Sequence, residues 1–171
     1  MGVEHVILVD EQDREIGTME KMEAHRRGRL HRAFSVFVFD DEKRLLLQQR
    51  ATHKYHSGGL WTNTCCSHPR PTEATQEAAI RRLQEEMGIK ADLAYAFSFH
   101  YRAPFSNGLV EHEFDHVFTA HSGQQPSINP DEVSGFRWIG LEELEKEIAA
   151  HPEAFTAWFK QIYKSVFEHI G

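Results

Sequence analysis

Cysteine is scarce in this chain of 171 residues: there are two, side by side in "TNTCCSHPRPTE". Two cysteines build no disulfide scaffold, and neighbours rarely bridge because the link strains disulfide geometry. A reducing, cytoplasmic setting is therefore expected. Cations are outnumbered, with 19 Lys and Arg against 26 Asp and Glu, for a formal net charge of −7. That balance argues against a broad nucleic-acid surface, which works by neutralising phosphate over a large area. It leaves room for a small anion held by a few local cations. No apolar run approaches the roughly 20 residues of a membrane span, so no membrane partner is expected. The start, "MGVEHVILVDEQDREIG", has acids inside its apolar run, no basic leader and no hydroxyl at position 6, so neither a signal peptide nor an acyl anchor is expected there. Histidine, by contrast, is plentiful, with 12 residues.

The apolar pattern predicts alternating strands and helices in one domain over residues 1–171. "VEHVILVD" reads as a strand, "EKMEAH" as a short helix, and "HRAFSVFVFDDEKRLLLQQR" as a hairpin around "DDEK". Residues 51–61 read as a loop. A helix is expected from Thr72 to Met87, with Ala79, Leu83 and Met87 at four-residue spacing and Gly88 at its stop. Strands follow over 93–103 and 109–120, then the loop "HSGQQPSINPDEVSG", the strand "FRWIGL" and the helix "LEELEKEIAAH". Phe155, Trp158, Phe159, Ile162, Tyr163, Val166, Phe167 and Ile170 form one helical stripe, with Pro152 suited to its first turn. The order is not strictly βαβ, which points to a mixed α/β layered domain.

"SHPRPTEATQEAAIRRLQEEMGI" is similar to the Nudix box, with Glu73 as its first acid, then Arg81, Leu83, Glu85, Glu86 and Gly88. Ser67 stands where that pattern opens on Gly, and Arg82 where it has a glutamate. In Nudix hydrolases the helix glutamates hold Mg²⁺ against a diphosphate. A guanidinium at that position binds phosphate but no metal. Arg82 and Glu86 lie one turn apart, and alone they would read as a surface ion pair. Glu111 and Glu113 in "LVEHEF" share one face of a strand, and a solvated face is the default for such a pair. His25, His31 and His68 could join them in a mixed N/O metal site suited to Mn²⁺, Mg²⁺ or Zn²⁺. Singly, each histidine reads more simply as a surface or packing residue.

"HVILVD", "EKMEAH", "LHRAFS", "LLLQQR", "WTNTCCSHP", the altered Nudix helix, "HYRAP" and "VEHEF" resemble, in order, the type I isopentenyl diphosphate isomerases, from His5 to Trp158. The resemblance implies a single-domain Nudix-like α/β fold with mixed sheets packed between helices. It also implies a prenyl diphosphate substrate and a 1,3-allylic proton shift through a carbocation-like state. That shift needs no flavin or nicotinamide. The family's roles fall on Cys66, Glu113, Tyr101 and Trp158 as catalytic groups, and on Lys21, Arg50, Lys54 and Arg82 as phosphate-binding cations. The implied metal ligands are His25, His31, His68, Glu111 and Glu113, with Glu86 at a second, diphosphate-bridging Mg²⁺. Glu113 and Tyr101 would supply the proton, a nearby cation lowering their pKa values, and Cys66 would remove one, helped if nearby cations bring the thiol's pKa below its free value. Cys65 reads as packing. Trp158 would face the cation, with Trp61 as a second wall and "RRGR" or "SINPDEVSG" as a cover that excludes water. The rival is a Nudix diphosphate hydrolase, which predicts a glutamate at position 82 and has no use for Cys66. A catalytically silent binding domain and a redox or zinc role for the cysteine pair are weaker readings.

Overall fold

The apolar runs become strands of one mixed sheet. The computed structural model describes residues 3–171, so the reading of the start falls partly, at Met1 and Gly2, outside the described residues. The first half runs β1 (His5–Val9), β2 (Glu15–Glu20), α1 (Lys21–Arg27), β3 (His31–Phe39), β4 (Leu45–Arg50), β5 (Trp61–Thr62) and β6 (Cys65–Ser67). The second half runs α2 (Thr75–Met87), β7 (Ala94–Pro104), β8 (Val110–His121), β9 (Val133–Ile139), α3 (Leu141–Ala150) and α4 (Ala157–Ile170).

β3 is the spine. It pairs in parallel with β8 from His31–Glu113 to Phe39–His121, and antiparallel with β6 through Ser35–Cys66. Helices cover both sheet faces, which is why β3 is buried from Ala33 onward and apolar from Val36 to Phe39. Phe34, Val36 and Val38 pack with Leu83 and Met87 of α2, whereas Phe37 and Phe39 pack with Phe159 and Val166 of α4. This is the expected α/β architecture, a mixed sheet between helices.

The expected hairpin is only a corner. Its turn forms, with Asp40 N–H donating to Arg44 C=O at 3.0 Å, but Phe39–Leu45 is the one β3–β4 pair. Thr64 explains the parting. Its hydroxyl accepts from Val38 N–H at 2.9 Å and donates to Leu46 C=O at 2.6 Å, standing where the next ladder bond would form. β4 then turns to β9 and β5.

Two helices start later than the sequence predicts. α2 begins at Thr75 because Glu73 is held in a turn, its carboxylate accepting from Arg70 N–H and from Nε and Nη2 of Arg81. α4 begins at Ala157. Pro152 opens a separate 3₁₀ turn, and Thr156 is kept extended by its N–H bond to Trp61 C=O at 3.0 Å. Gly88 ends α2 at a φ of 66°, where a Cβ would also lie 2.6 Å from Ser127 O. Ser127 and Asn129 donate their N–H groups to Met87 and Glu86 C=O, so this loop satisfies the open end of α2. Among the described residues no helix is long and apolar enough to cross a membrane.

Candidate active site

α1 delivers the first histidine. Its N-terminus is capped by Glu20, which accepts from Met22 and Glu23 N–H, and Gly28 closes it in the left-handed region. His25 Nδ1 sits 2.7 Å from Lys21 C=O, and His31 Nδ1 sits 2.8 Å from Arg29 C=O. A carbonyl only accepts, so each Nδ1 carries the proton and each Nε2 presents a lone pair. Both Nε2 atoms are buried without a partner, an arrangement that is costly unless a cation meets them.

β8 delivers the carboxylates. Glu111, Glu113 and Asp115 alternate onto its inner face and all are buried, so the solvated-face reading falls. Glu113 Oε2 accepts from His68 Nε2 at 2.9 Å and lies 3.6 Å from His31 Nε2. Glu111 Oε2 lies 3.9 Å from His25 Nε2. The donor atoms of His25, His31, His68 and Glu113 all fall within 4.8 Å of one another, as do those of His25, His56 and Glu111. Burial opposes charge on Glu111, but the side chains of His25 and His56 hold it well below the usual carboxylate range. Burial and Glu111 likewise oppose charge on Glu113, and His31 and His68 outweigh them. Burial lowers His68 to about 4. Preset tautomers, orphaned buried nitrogens and anionic carboxylates fit a divalent cation.

The cations form the other wall. Lys21, Arg50, Lys54 and Arg82 line one cleft with Cys66, His68, Glu111, Glu113 and Trp158. Lys21 pairs with Glu4 at 2.6 Å and Lys54 with Glu132 at 2.5 Å. Arg82 donates to Glu86 at 2.7 Å and lies 3.4 Å from Glu132. Since Glu86 is only 3% exposed, this is no surface ion pair. Glu86 also accepts from Gln48 at 3.0 Å, so both its oxygens are engaged. It lies behind Arg82, apart from the histidine cluster, and burial raises its carboxyl against Arg82's pull.

The two cysteines alternate along β6. Cys65 is fully buried against α2, and Cys66 faces the cleft with Sγ 4.0 Å from Arg50 Nη1. Neither is bridged. Here the help from cations is absent: burial pushes the Cys66 thiol up, and Arg50 only partly offsets it against Glu86, Glu111 and Glu113. Tyr101 pairs in register with Glu113, and its buried hydroxyl has no partner. In the metal-free site, burial and then Glu111 push that phenol up as well. Trp158 serves core and cleft together. Its Nε1–H donates to Asn63 at 3.1 Å and Arg50 lies 5.4 Å over its ring. Trp61 is not a cleft wall; it packs under Arg137 at 4.7 Å. Of the two candidate covers, "RRGR" does not line the cleft and "SINPDEVSG" reaches it through Glu132 alone, on backbone bonded to α2 and to Ala51.

Sequence reasoning missed five ionisable cleft groups: Glu4, Tyr55, His56, Asp115 and Glu132. Asp115 was within reach, since the two-residue alternation through Glu111 and Glu113 simply continues. Its Oδ2 accepts from Ser35 at 3.1 Å, and burial followed by Glu113 raises its carboxyl well above the usual range.

Residues 29–159 match the NUDIX domain family. The chain is 56% identical over 155 residues, 91% of its length, to isopentenyl-diphosphate Delta-isomerase 2 of Aromatoleum aromaticum, of which 82% is covered. It is 50% identical over 166 residues to isopentenyl-diphosphate Delta-isomerase of Pectobacterium atrosepticum, covering 97% of this chain and 93% of that one. The crystal structure of DR0079 from Deinococcus radiodurans superposes with a TM-score of 0.78 at 24% identity, over 94% of this chain and 98% of that one. The MutT protein from Methanosarcina mazei gives 0.67 at 17% identity, over 81% of this chain and 93% of that one. At these identities the two structures speak for the fold alone.

Proposed function

We infer the chemistry of the cleft from one premise: the chain belongs to the isopentenyl-diphosphate Delta-isomerases, on a NUDIX fold. It is an isomerase that interconverts isopentenyl and dimethylallyl diphosphates. The observation that carries the residue assignment is the placing of Cys66 and Glu113 in one cleft, on the two strands that flank β3. Residues 1–171 are read as one domain, because both core clusters pack on the same sheet.

The reaction adds a proton to one end of a C=C bond and removes another from beyond the tertiary centre. From isopentenyl diphosphate, C4 is protonated from the side of Glu113 and Tyr101. Positive charge develops at C3, and C2 gives its proton to Cys66. In the resting site the thiol holds its proton and Glu113 is the anion, which is the pairing for the reverse direction. There Cys66 protonates C2 and Glu113 takes the proton from C4. The forward direction starts from the same pair with the proton moved to the side of Glu113 and Tyr101. The developing cation meets Trp158, whose ring already faces the Arg50 guanidinium. An aromatic face supplies roughly 2 kcal/mol to a desolvated cation.

His25, His31, His68, Glu111 and Glu113 are assigned to a divalent ion, Mn²⁺, Mg²⁺ or Zn²⁺. When bound, it would supply positive charge that aims the two glutamates and favours release of the proton that Glu113 carries in the forward direction. Lys21, Arg50, Lys54 and Arg82 bind the diphosphate. Glu86 would hold a second, diphosphate-bridging Mg²⁺ once Arg82 or Gln48 released one of its two engaged oxygens. Arg82 also separates this reading from diphosphate hydrolysis, because it places a cation where a metal-binding glutamate would stand. No flavin or nicotinamide is needed. A cytoplasmic placement is supported by the two free thiols, and the net charge of −7 speaks against a nucleic-acid partner.

The test is proton and phosphorus NMR of isopentenyl diphosphate with the protein and Mg²⁺ in D₂O. New dimethylallyl methyl signals, deuterium uptake and an intact diphosphate are expected. Cys66→Ala should abolish turnover with circular dichroism unchanged, while Cys65→Ala keeps most of it. Near-normal turnover in Cys66→Ala would sink the thiol assignment, and phosphate release without allylic product would revive the hydrolase.

A further inference from the structure

His56 lies in the loop between β4 and β5 and has no role in the chemistry above. Its side chain is 2% exposed, and its Nε2 sits 2.8 Å from Glu111 Oε2. The contact is off the axis an N–H would need, so Nε2 remains a buried nitrogen without a hydrogen-bond partner, as at His25 and His31. The ring is fixed on three sides. It stacks on Phe105 with centroids 4.6 Å apart and planes 9° from parallel, and it meets Tyr55 and Trp158 edge-on. Ser57 Oγ lies 3.1 Å from Nδ1, and Arg50 donates to the His56 carbonyl at 3.2 Å. A packing histidine needs none of this aim.

We propose that His56 is a sixth protein donor to the ion assigned to His25, His31, His68, Glu111 and Glu113, an inference that rests on that assignment. His25 Nε2 belongs both to the group with His31, His68 and Glu113 and to the group with His56 and Glu111. An imidazole nitrogen has one lone pair and binds one ion. Two ions would have to divide His25 between them. The two groups share His25 but do not close within 4.8 Å as one, so a single ion would draw His56 and Glu111 inward. Four imidazoles and two carboxylates then fill an octahedral shell. Such a shell leaves no position for an activated water, and its nitrogen count shifts selectivity from Mg²⁺ toward later divalent metals. The ion becomes a device for positioning the glutamates, closed to the solvent nucleophile a hydrolase would need.

Mn²⁺ alone tests this, read by the electron paramagnetic resonance of free Mn²⁺ and by the relaxation of water protons. His56→Phe keeps the stack on Phe105 and removes both nitrogens; His56→Gln repeats the measurement with a smaller side chain. Circular dichroism in EDTA checks that each is folded. Mn²⁺ should bind about tenfold to a hundredfold more weakly. Water relaxation per bound ion should rise, because solvent fills the vacated position. Affinity within twofold of the unmodified protein, with unchanged relaxation, would overturn the proposal. His31→Ala separates the two levels of inference. If it loses Mn²⁺ and the His56 variants do not, His56 alone is wrongly assigned. If His31→Ala binds as tightly as the unmodified protein, the site assignment fails and the proposal falls with it.

Discussion

His25 and His31 end in buried nitrogens without a hydrogen-bond partner, whereas Lys21, Lys54 and Arg82 each end on a carboxylate. The first half of the cleft is aimed by the backbone and waits for a charge. The second half is already neutralised except at Arg50, which reaches Cys66 and the His56 carbonyl, and its carboxylate partners must be exchanged when a diphosphate arrives. The contrast follows from the elements. Strands and a capped helix fix the histidines and glutamates, whose polar atoms have no solvent to turn to. Lys21, Lys54, Glu4 and Glu132 sit at element ends and in loops, where long side chains find each other. An arriving ion therefore gains nearly the full interaction, while an arriving diphosphate gains only a difference.

Glu113→Gln should break the aimed half most severely. It keeps the shape but cannot take up the proton, so turnover should fall by about 10³-fold or more with the fold intact. A loss under tenfold would move the proton role elsewhere. Arg82→Met attacks the neutralised half by leaving Glu86 buried without its cation, for a stability loss of about 3 kcal/mol in urea at pH 8. The double variant Arg82→Met with Glu86→Gln should recover most of that loss. If the single variant is as stable as the starting protein, the pair is not holding the structure.

Acid should separate the halves in the metal-free protein. His68 titrates at about 4 when folded, against an ordinary 6.5. The unfolded chain therefore takes the proton first as pH falls. Stability from His68 is present above 6.5 and is lost on the way down to about 4, on the order of 3 kcal/mol. His25 works in the opposite sense, since its raised folded value adds stability on the acid side that is lost as pH rises. In EDTA the melting temperature should drop from pH 7 to pH 4.5, and His68→Asn should flatten that slope. Equal slopes would show that His68 is not the group responsible.

The smallest effect is the most telling for the neutralised half. Glu132 holds Lys54 and also faces Arg82, so Glu132→Gln should free both cations. Inorganic pyrophosphate should then bind about fivefold tighter by calorimetry, on the order of 1 kcal/mol. Weaker binding would mean that Glu132 helps to hold the anion through an ion, in which case the two halves work alike.

What could be read from the sequence divides along a similar line. The period of two along β8 placed Glu111 and Glu113 on one face, and the period near four placed Arg82 over Glu86, because these are local regularities. The parting of β3 and β4 was not legible. Thr64 acts on Val38 and Leu46 from 26 and 18 residues away, and nothing in "TNTCC" marks its hydroxyl as a strand partner. His56 had no signal beyond the abundance of histidine, since its contact with Glu111 spans a loop and a sheet. Nearby cations could have lowered the thiol pKa, but burial and three carboxylates outweigh Arg50.

The alternation of Cys65 and Cys66 bears on how the protein meets oxidants. Consecutive strand residues point to opposite faces, so the two sulfurs look into separate environments and do not close on each other. Cys65 is out of reach of peroxide, and Cys66, kept as a thiol rather than a thiolate, reacts slowly with it. The burial that holds the proton on Cys66 thus also shields the residue from irreversible damage between turnovers.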